Sequence, residues 1–116
     1  METLIEINRK DIDSIAIFEF TWELDETNAD NTFESLISEI WDYNGRKIIF
    51  NFKWLTYLNS KSIWYIADIF SNLEDNNWNL YISNCNEQVK DILDIVGITG
   101  IISAVNTEEE AIESIK

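Results

Sequence analysis

From Lys47 to the C-terminus the hydrophobic pattern switches repeatedly between strand and helix spacing, and this alternation restricts the fold more than any other feature. Lys47 to Phe52 (Lys-Ile-Ile-Phe-Asn-Phe) is a short apolar, β-prone run and predicts an interior strand. Ser60 to Glu74 follows at helical spacing, with Ile63, Ile66, Ala67, Phe70 and Leu73 on one face. Trp78, Leu80 and Ile82 then alternate with Asn79, Tyr81 and Ser83 as a strand. Val89, Ile92, Leu93 and Val96 line a third helix, which Gly97 ends, and Ile101 to Val105 predicts a last short strand. Thr107-Glu108-Glu109-Glu110 matches a capping box opening a terminal helix with Ala111, Ile112 and Ile115 inward. Three carboxylates there also favour the positive end of the helix dipole. Strands interleaved with helices pair in parallel through right-handed crossovers.

Upstream, Leu4 to Asn8 and Ile12 to Phe20 read as adjacent strands, with Asp11 and Asp13 near the break. Thr27 is expected to start and cap a helix, Asp30 completing a box-like pattern. Ala29, Phe33, Leu36, Ile37, Ile40 and Trp41 form its apolar stripe, and Asn44-Gly45 ends it. No linker or repeat interrupts residues 1–116. The expectation is one α/β domain: a mixed sheet of roughly four or five strands with about four helices.

Composition narrows the chemistry. Twenty-two acidic residues against eight basic ones give a formal charge of -14. Such a surface repels phosphate backbones, so nucleic acid and anionic membrane are poor partners. No apolar run approaches the roughly 18 to 20 residues of a membrane span, and Met-Glu-Thr-Leu-Ile-Glu lacks the basic flank of a secretory signal. A single cysteine, Cys85, forms no internal disulfide and suits a reducing cytoplasm. With no histidine, the usual general base, Ser-His triads and most zinc sites are gone. The three glycines are isolated, so no phosphate-cradling loop exists. Carboxylate pairs such as Asp11/Asp13 and Asp91/Asp94 read as turn and solvated-face residues in so acidic a chain. Cys85, without an activating histidine, reads as a structural thiol. The five tryptophans, Trp22, Trp41, Trp54, Trp64 and Trp78, are expected mostly at core or edge positions. Neither catalytic residues nor a cofactor or metal is expected, and the reading is non-enzymatic.

The informative stretch is Leu55 to Ile63, expected to link the interior strand to the second helix with Ser60 at the helix start. A helix N-terminus presents unpaired amides and partial positive charge, so a phosphate there is well received. Phosphorylation of Ser60 would add about 1.5 to 2 negative charges. The plainer role for Ser60 is an N-cap, worth roughly 1 kcal/mol.

Three motifs resemble the sulphate transporter and anti-sigma factor antagonist (STAS) domain, especially small bacterial anti-anti-sigma factors. Trp22-Glu23-Leu24-Asp25 stands where that family has a Gly-x-Leu-Asp loop. Asn59-Ser60-Lys61-Ser62-Ile63 matches its Asp-Ser-(Ser/Thr/Ala)-Gly-Leu motif, and Leu93 through Gly97-Ile98 its Leu-x-x-x-Gly-(Leu/Ile) pattern. The likeness spans nearly the whole chain. It implies a cytoplasmic partner-switching regulator that binds a kinase-type anti-sigma factor, with Ser60 as phosphoacceptor and Asp25 in the loop beside it. A scaffold or transporter-associated STAS subunit that is never phosphorylated is the alternative. Asn59 replaces the motif aspartate, Ser62 its glycine, and Trp22 the loop glycine. Asn59 keeps hydrogen bonding but loses a charge, and Ser62 adds a side chain where a partner needs close backbone approach. Trp64 sits beyond one edge of the helix's apolar stripe, near Ser60 and Lys61, and is expected on the partner surface. The competing place for it is beneath the Trp22 loop.

Overall fold

The computed structural model describes residues 4–43 and 47–116. Five strands, β1 (Ile5–Ile12), β2 (Ile15–Leu24), β3 (Lys47–Leu58), β4 (Asn79–Ser83) and β5 (Ser103–Val105), form one sheet in the order β1-β2-β3-β4-β5. Four helices, α1 (Ala29–Tyr43), α2 (Ser60–Asp75), α3 (Glu87–Ile95) and α4 (Glu108–Ile115), complete the α/β domain. β1 and β2 are antiparallel, joined by Asp13-Ser14, both at positive φ (49° and 69°). That conformation suits a tight two-residue hairpin, and short polar side chains tolerate it. The other pairings are parallel, as the alternation required.

The sheet has two unequal faces. On one, α1, α2 and α3 bury a large core with Phe18, Phe20, Phe50 and Phe52, whose rings meet mostly edge to face. On the other, α4 alone packs Ala111 and Ile115 over Ile15, Ile17 and Ile49. Burial on both faces explains why β2 and the first half of β3 read as continuous apolar runs.

Several elements depart from expectation. β3 does not stop at Phe52 but runs to Leu58, because β2 pairs with it to the end, Leu24 opposite Leu58. Residues 53–58 are therefore strand rather than linker. The ladder absorbs two irregularities, between Glu19 and Thr21 and between Trp22 and Glu23, which broke the alternation in the sequence. β5 is shorter than expected, because Ile98–Gly100 forms a 3-10 turn. α1 starts at Ala29 rather than Thr27; the Thr27 hydroxyl instead donates to Asp25 Oδ1 at 2.6 Å. Asp30 completes no box with Thr27 but bonds across to α2. On α2 the buried positions are Ser62, Ile63, Ile66, Ile69 and Leu73, with Ala67 and Phe70 only half-buried. The tryptophans are not core: Trp22, Trp41, Trp54 and Trp64 are exposed and Trp78 is half-buried against Trp41. Phenylalanine and isoleucine fill the interior instead.

Two ends behave as read. Gly97, at φ 82°, follows the last turn of α3, and the Thr107 hydroxyl accepts from the Glu110 amide at 3.1 Å to cap α4. The Asn44-Gly45 stop falls outside the described residues.

Candidate functional site

Parallel pairing brings the carboxyl ends of β2 and β3 together, and the Asn59 amide donates to the Leu24 carbonyl at 3.0 Å. The loop at Asp25 and the start of α2 therefore leave the sheet side by side. Crevices at such strand ends are where α/β sheets place their sites.

The Asp25 loop braces itself. Asp25 Oδ1 accepts from the Thr27 amide at 2.9 Å and from its hydroxyl, while the Asp25 amide donates to Asn28 Oδ1 at 3.1 Å. Asn28, buried, passes its Nδ2 to the Glu23 carbonyl at 2.9 Å. Trp22, at the head of this loop, has φ 86°, and its carbonyl accepts from Thr56 Oγ1 at 3.0 Å. The family's loop glycine thus has a conformational reason that tryptophan does not share.

At the start of α2 the cap is Asn59, not Ser60. Asn59 is extended (φ -88°, ψ 173°), and its Oδ1 accepts from the Ser62 amide at 2.9 Å and the Ser62 hydroxyl at 2.6 Å. Ser60 is the first helical residue and is exposed. Its hydroxyl is not needed to cap the helix, and it stands where the helix leaves amides unpaired. Ser62 corrects a second expectation. Its side chain is 0% exposed, so it does not crowd a partner; it fixes the Asn59 amide. Both Ser62 donors occupy Asn59 Oδ1, which leaves the Nδ2 donors as the free end of that amide.

Lys61 points to α1. Its Nζ lies 2.8 Å from Asp30 Oδ1, and the Tyr65 hydroxyl donates to the same oxygen at 2.6 Å. These hydrogen bonds, from Lys61 first and Tyr65 second, hold the Asp30 carboxyl below its usual range. Asp30 in turn raises Lys61 and Tyr65. Tyr65 also stacks on Phe33 of α1 at 4.8 Å. Sequence reasoning missed this clasp because Asp30 looked like a capping residue. Its signal was there: Lys61 and Tyr65 lie four apart on one face of α2.

Trp64 is 70% exposed, which rules out burial beneath the Trp22 loop. Beside it a groove of about 130 Å³ is lined by Ser60, Ile63, Trp64, Ala67, Val96 and Ile98. Val96 and Ile95, at the end of α3, are exposed too. Val96, expected to line the buried face of the third helix, is instead exposed just past its end and walls this groove. A larger concavity of about 780 Å³ beside Arg9 and α1 shares no residue with the groove and is walled mainly by polar and charged side chains. The Cys85 thiol is pushed up to about 11, first by burial, so it is not an activated nucleophile. Among the described residues no group of His, Cys, Asp or Glu could hold a metal ion, and no helix is long and apolar enough to cross a membrane.

The site thus collects Trp22, Asp25, Asn59, Ser60, Lys61 and Trp64 at one end of the sheet, with Ser62 buried beneath. Solved structures share this fold closely. A candidate anti-sigma factor antagonist from Thermotoga maritima is 21% identical with a TM-score of 0.88, over 94% of this chain and 93% of that one. An anti-sigma factor antagonist from Mycobacterium paratuberculosis is 12% identical with a TM-score of 0.88, over 97% and 94%. The Bacillus cell fate determinant SpoIIAA, in its phosphorylated form, is 18% identical with a TM-score of 0.72, over 96% and 100%. No curated protein sequence matches the chain. The STAS domain family model matches residues 6–111, nearly the whole chain, in agreement with the motifs and the sheet order; the protein belongs to the STAS domain family.

Proposed function

We propose that the protein is a non-enzymatic, cytoplasmic partner-switching regulator of the anti-sigma factor antagonist type. It docks a kinase-type anti-sigma factor on the face around Ser60, and phosphorylation of Ser60 releases that partner. One observation carries the reading: an exposed serine opens α2, free of the capping duty that Asn59 performs, beside an exposed tryptophan and an apolar groove. The kinase supplies the ATP chemistry. This chain supplies a hydroxyl at a helix end that tolerates added negative charge, and a surface that the charge then spoils for docking.

A pull-down with mass spectrometry of the Ser60 peptide tests this. A kinase-like partner together with phospho-Ser60 supports the switch. Ser60→Asp is expected to weaken partner binding with little change in melting temperature, since an acid is welcome in a first helical turn. Binding equal to wild type would remove the switch. Trp64→Ala is expected to lower partner affinity at least about thirtyfold while changing unfolding free energy by under roughly 1 kcal/mol.

The scaffold reading has an observation of its own. Asn59 replaces the motif's aspartate and has its oxygen occupied by Ser62, so no carboxylate adjoins the acceptor hydroxyl through this residue. A transporter partner with unmodified Ser60 would decide for the scaffold.

A further inference from the structure

The sheet face opposite α1–α3 is only half covered. α4 has eight residues, which at 1.5 Å each span about 12 Å. β3 has twelve, or about 40 Å. Glu108, the first residue of α4, meets Asn51 Nδ2 at 3.0 Å and Lys10 Nζ at 2.8 Å. Beyond Asn51 no helix covers this face among the described residues.

What lies there is set by the two irregularities of β3. Up to Phe52 the inward residues alternate: Ile48, Phe50, Phe52. Unbroken alternation would next bury Trp54. Instead β2 advances two residues, Glu19 to Thr21, while β3 advances three, Asn51 to Trp54, so Leu55 turns inward and Trp54 outward. The second irregularity repeats the exchange. Trp22 faces Leu55 but Glu23 faces Tyr57, so Leu58 goes in and Tyr57 out. Each bulge has its own brace: Asn51 Oδ1 accepts from the Lys53 amide at 2.9 Å, and Thr56 Oγ1 donates to the Trp22 carbonyl. Twice the ladder inserts a residue, and twice an aromatic ring is put into solvent and a leucine into the core. Such bulges are devices that re-aim side chains at functional sites.

The resulting patch has a definite chemistry. Trp54 is 56% exposed, with Tyr57 exposed beyond it. Register places Glu6 and Thr21 in the row of Trp54, and Glu23 in the row of Tyr57. Glu6 and Glu23 are exposed. The chain's own Lys53 holds its Nζ 5.1 Å from the Trp54 ring centre, so the ring already receives a cation. Aromatic faces beside carboxylates are complementary to guanidinium and ammonium groups. A second copy of the chain, itself at -14, is the wrong charge for this surface.

We infer that the bare sheet face around Trp54 and Tyr57 is a second docking surface, for an arginine- or lysine-rich segment of a protein partner. Lys53 occupies the ring in the free protein and gives way to the partner's cation. The surface is separate from the groove beside Ser60, and the two share no residue.

The test uses the full chain, 15N-labelled, and a short synthetic peptide alternating arginine and leucine. The Trp54 indole signal is expected to move while that of Trp41 stays. Trp54→Ala with Tyr57→Ala is expected to lose at least about tenfold in affinity without a change in melting temperature. Lys53→Gln is expected to gain about twofold, because the ring is vacated. Ser60→Asp is expected to bind the peptide as wild type does, which separates this surface from the Ser60 reading. Unchanged affinity in the double variant, equal movement of all the indole signals, or equal binding of a glutamate-leucine peptide would each overturn the proposal. So would a dimer that Trp54→Ala disperses, since a second copy would then own the face.

Discussion

Trp22 holds φ at 86°, where glycine rests freely and a Cβ is crowded. In an ordinary strand, alanine is the better replacement than glycine by about 0.5–1 kcal/mol. Here the order is expected to invert, with Trp22→Gly more stable than Trp22→Ala by about 1 kcal/mol in urea unfolding. Alanine ahead of glycine would show that the backbone relaxes once the indole is gone. Cys85 gives a second residue-level expectation. Its thiol is raised to about 11 in the folded chain, against about 8.5 when unfolded. The folded-state value is the higher one, so its contribution is complete below about pH 8.5 and lost as pH rises toward 11, worth up to about 3 kcal/mol. Cys85→Ala is expected to flatten this alkaline limb. An unchanged limb would assign it to the other groups with raised values, Lys10, Lys61, Tyr43 and Tyr65. At this scale the sequence was informative but incomplete. The residue pattern placed the start of α2 at Ser60, where the helix does begin, yet it could not separate Asn59 from Ser60 as the cap. Both are good caps by type, and only the extended backbone at Asn59 decides.

At the scale of elements, β3 carries most of what pattern reading could not reach. Its first half is buried on both faces and reads as a continuous apolar strand. Its second half, Lys53 to Leu58, has the burial order exposed, exposed, buried, exposed, exposed, buried, which matches neither a strand nor a helix template. Register against β2 supplies the missing information, and register is a long-range property. The inversion of inside and outside is directly measurable. Leu55→Ala is expected to cost about 2–5 kcal/mol as a core truncation, and Trp54→Ala under about 1 kcal/mol despite the larger side chain. The reverse ranking would restore plain alternation and remove the bulges. The helices were easier. α3 and α4 are bounded by residues whose capping chemistry is local, Gly97 and Thr107, so their ends were legible. α1 was misplaced at its start because Thr27 spends its hydroxyl on Asp25 in the loop, a choice set by how β2 ends.

For the whole molecule, topology followed from the alternation of periods, but the unequal cover of the two faces did not, since it depends on where α4 lands. Net charge acts at the same scale. Twenty-two acids and eight bases share a body of 38 × 28 × 24 Å. Three of the cations bind particular carboxylates on their own or neighbouring elements: Arg9 with Asp11 and Glu39, Lys10 with Glu19 and Glu108, Lys61 with Asp30. Far more carboxylates than cations are left to repel one another. At about 0.01 M salt the screening length is about 30 Å, so the repulsion spans the molecule; at about 0.5 M it reaches only neighbouring groups. Folding brings these charges closer than the extended chain does, and salt relieves the folded state more. The melting temperature is therefore expected to rise between about 0.01 M and 0.5 M sodium chloride. The exposed ion pairs oppose this rise, but each is worth only about 0–1 kcal/mol and is screened as well. Association with a cationic peptide has the opposite sign, because salt screens the attraction that steers it. Stability up and binding down across one salt series is the signature of an acidic fold held together despite its charge. A melting temperature that falls with salt would mean instead that the pairs at Arg9, Lys10 and Lys61 outweigh the net repulsion.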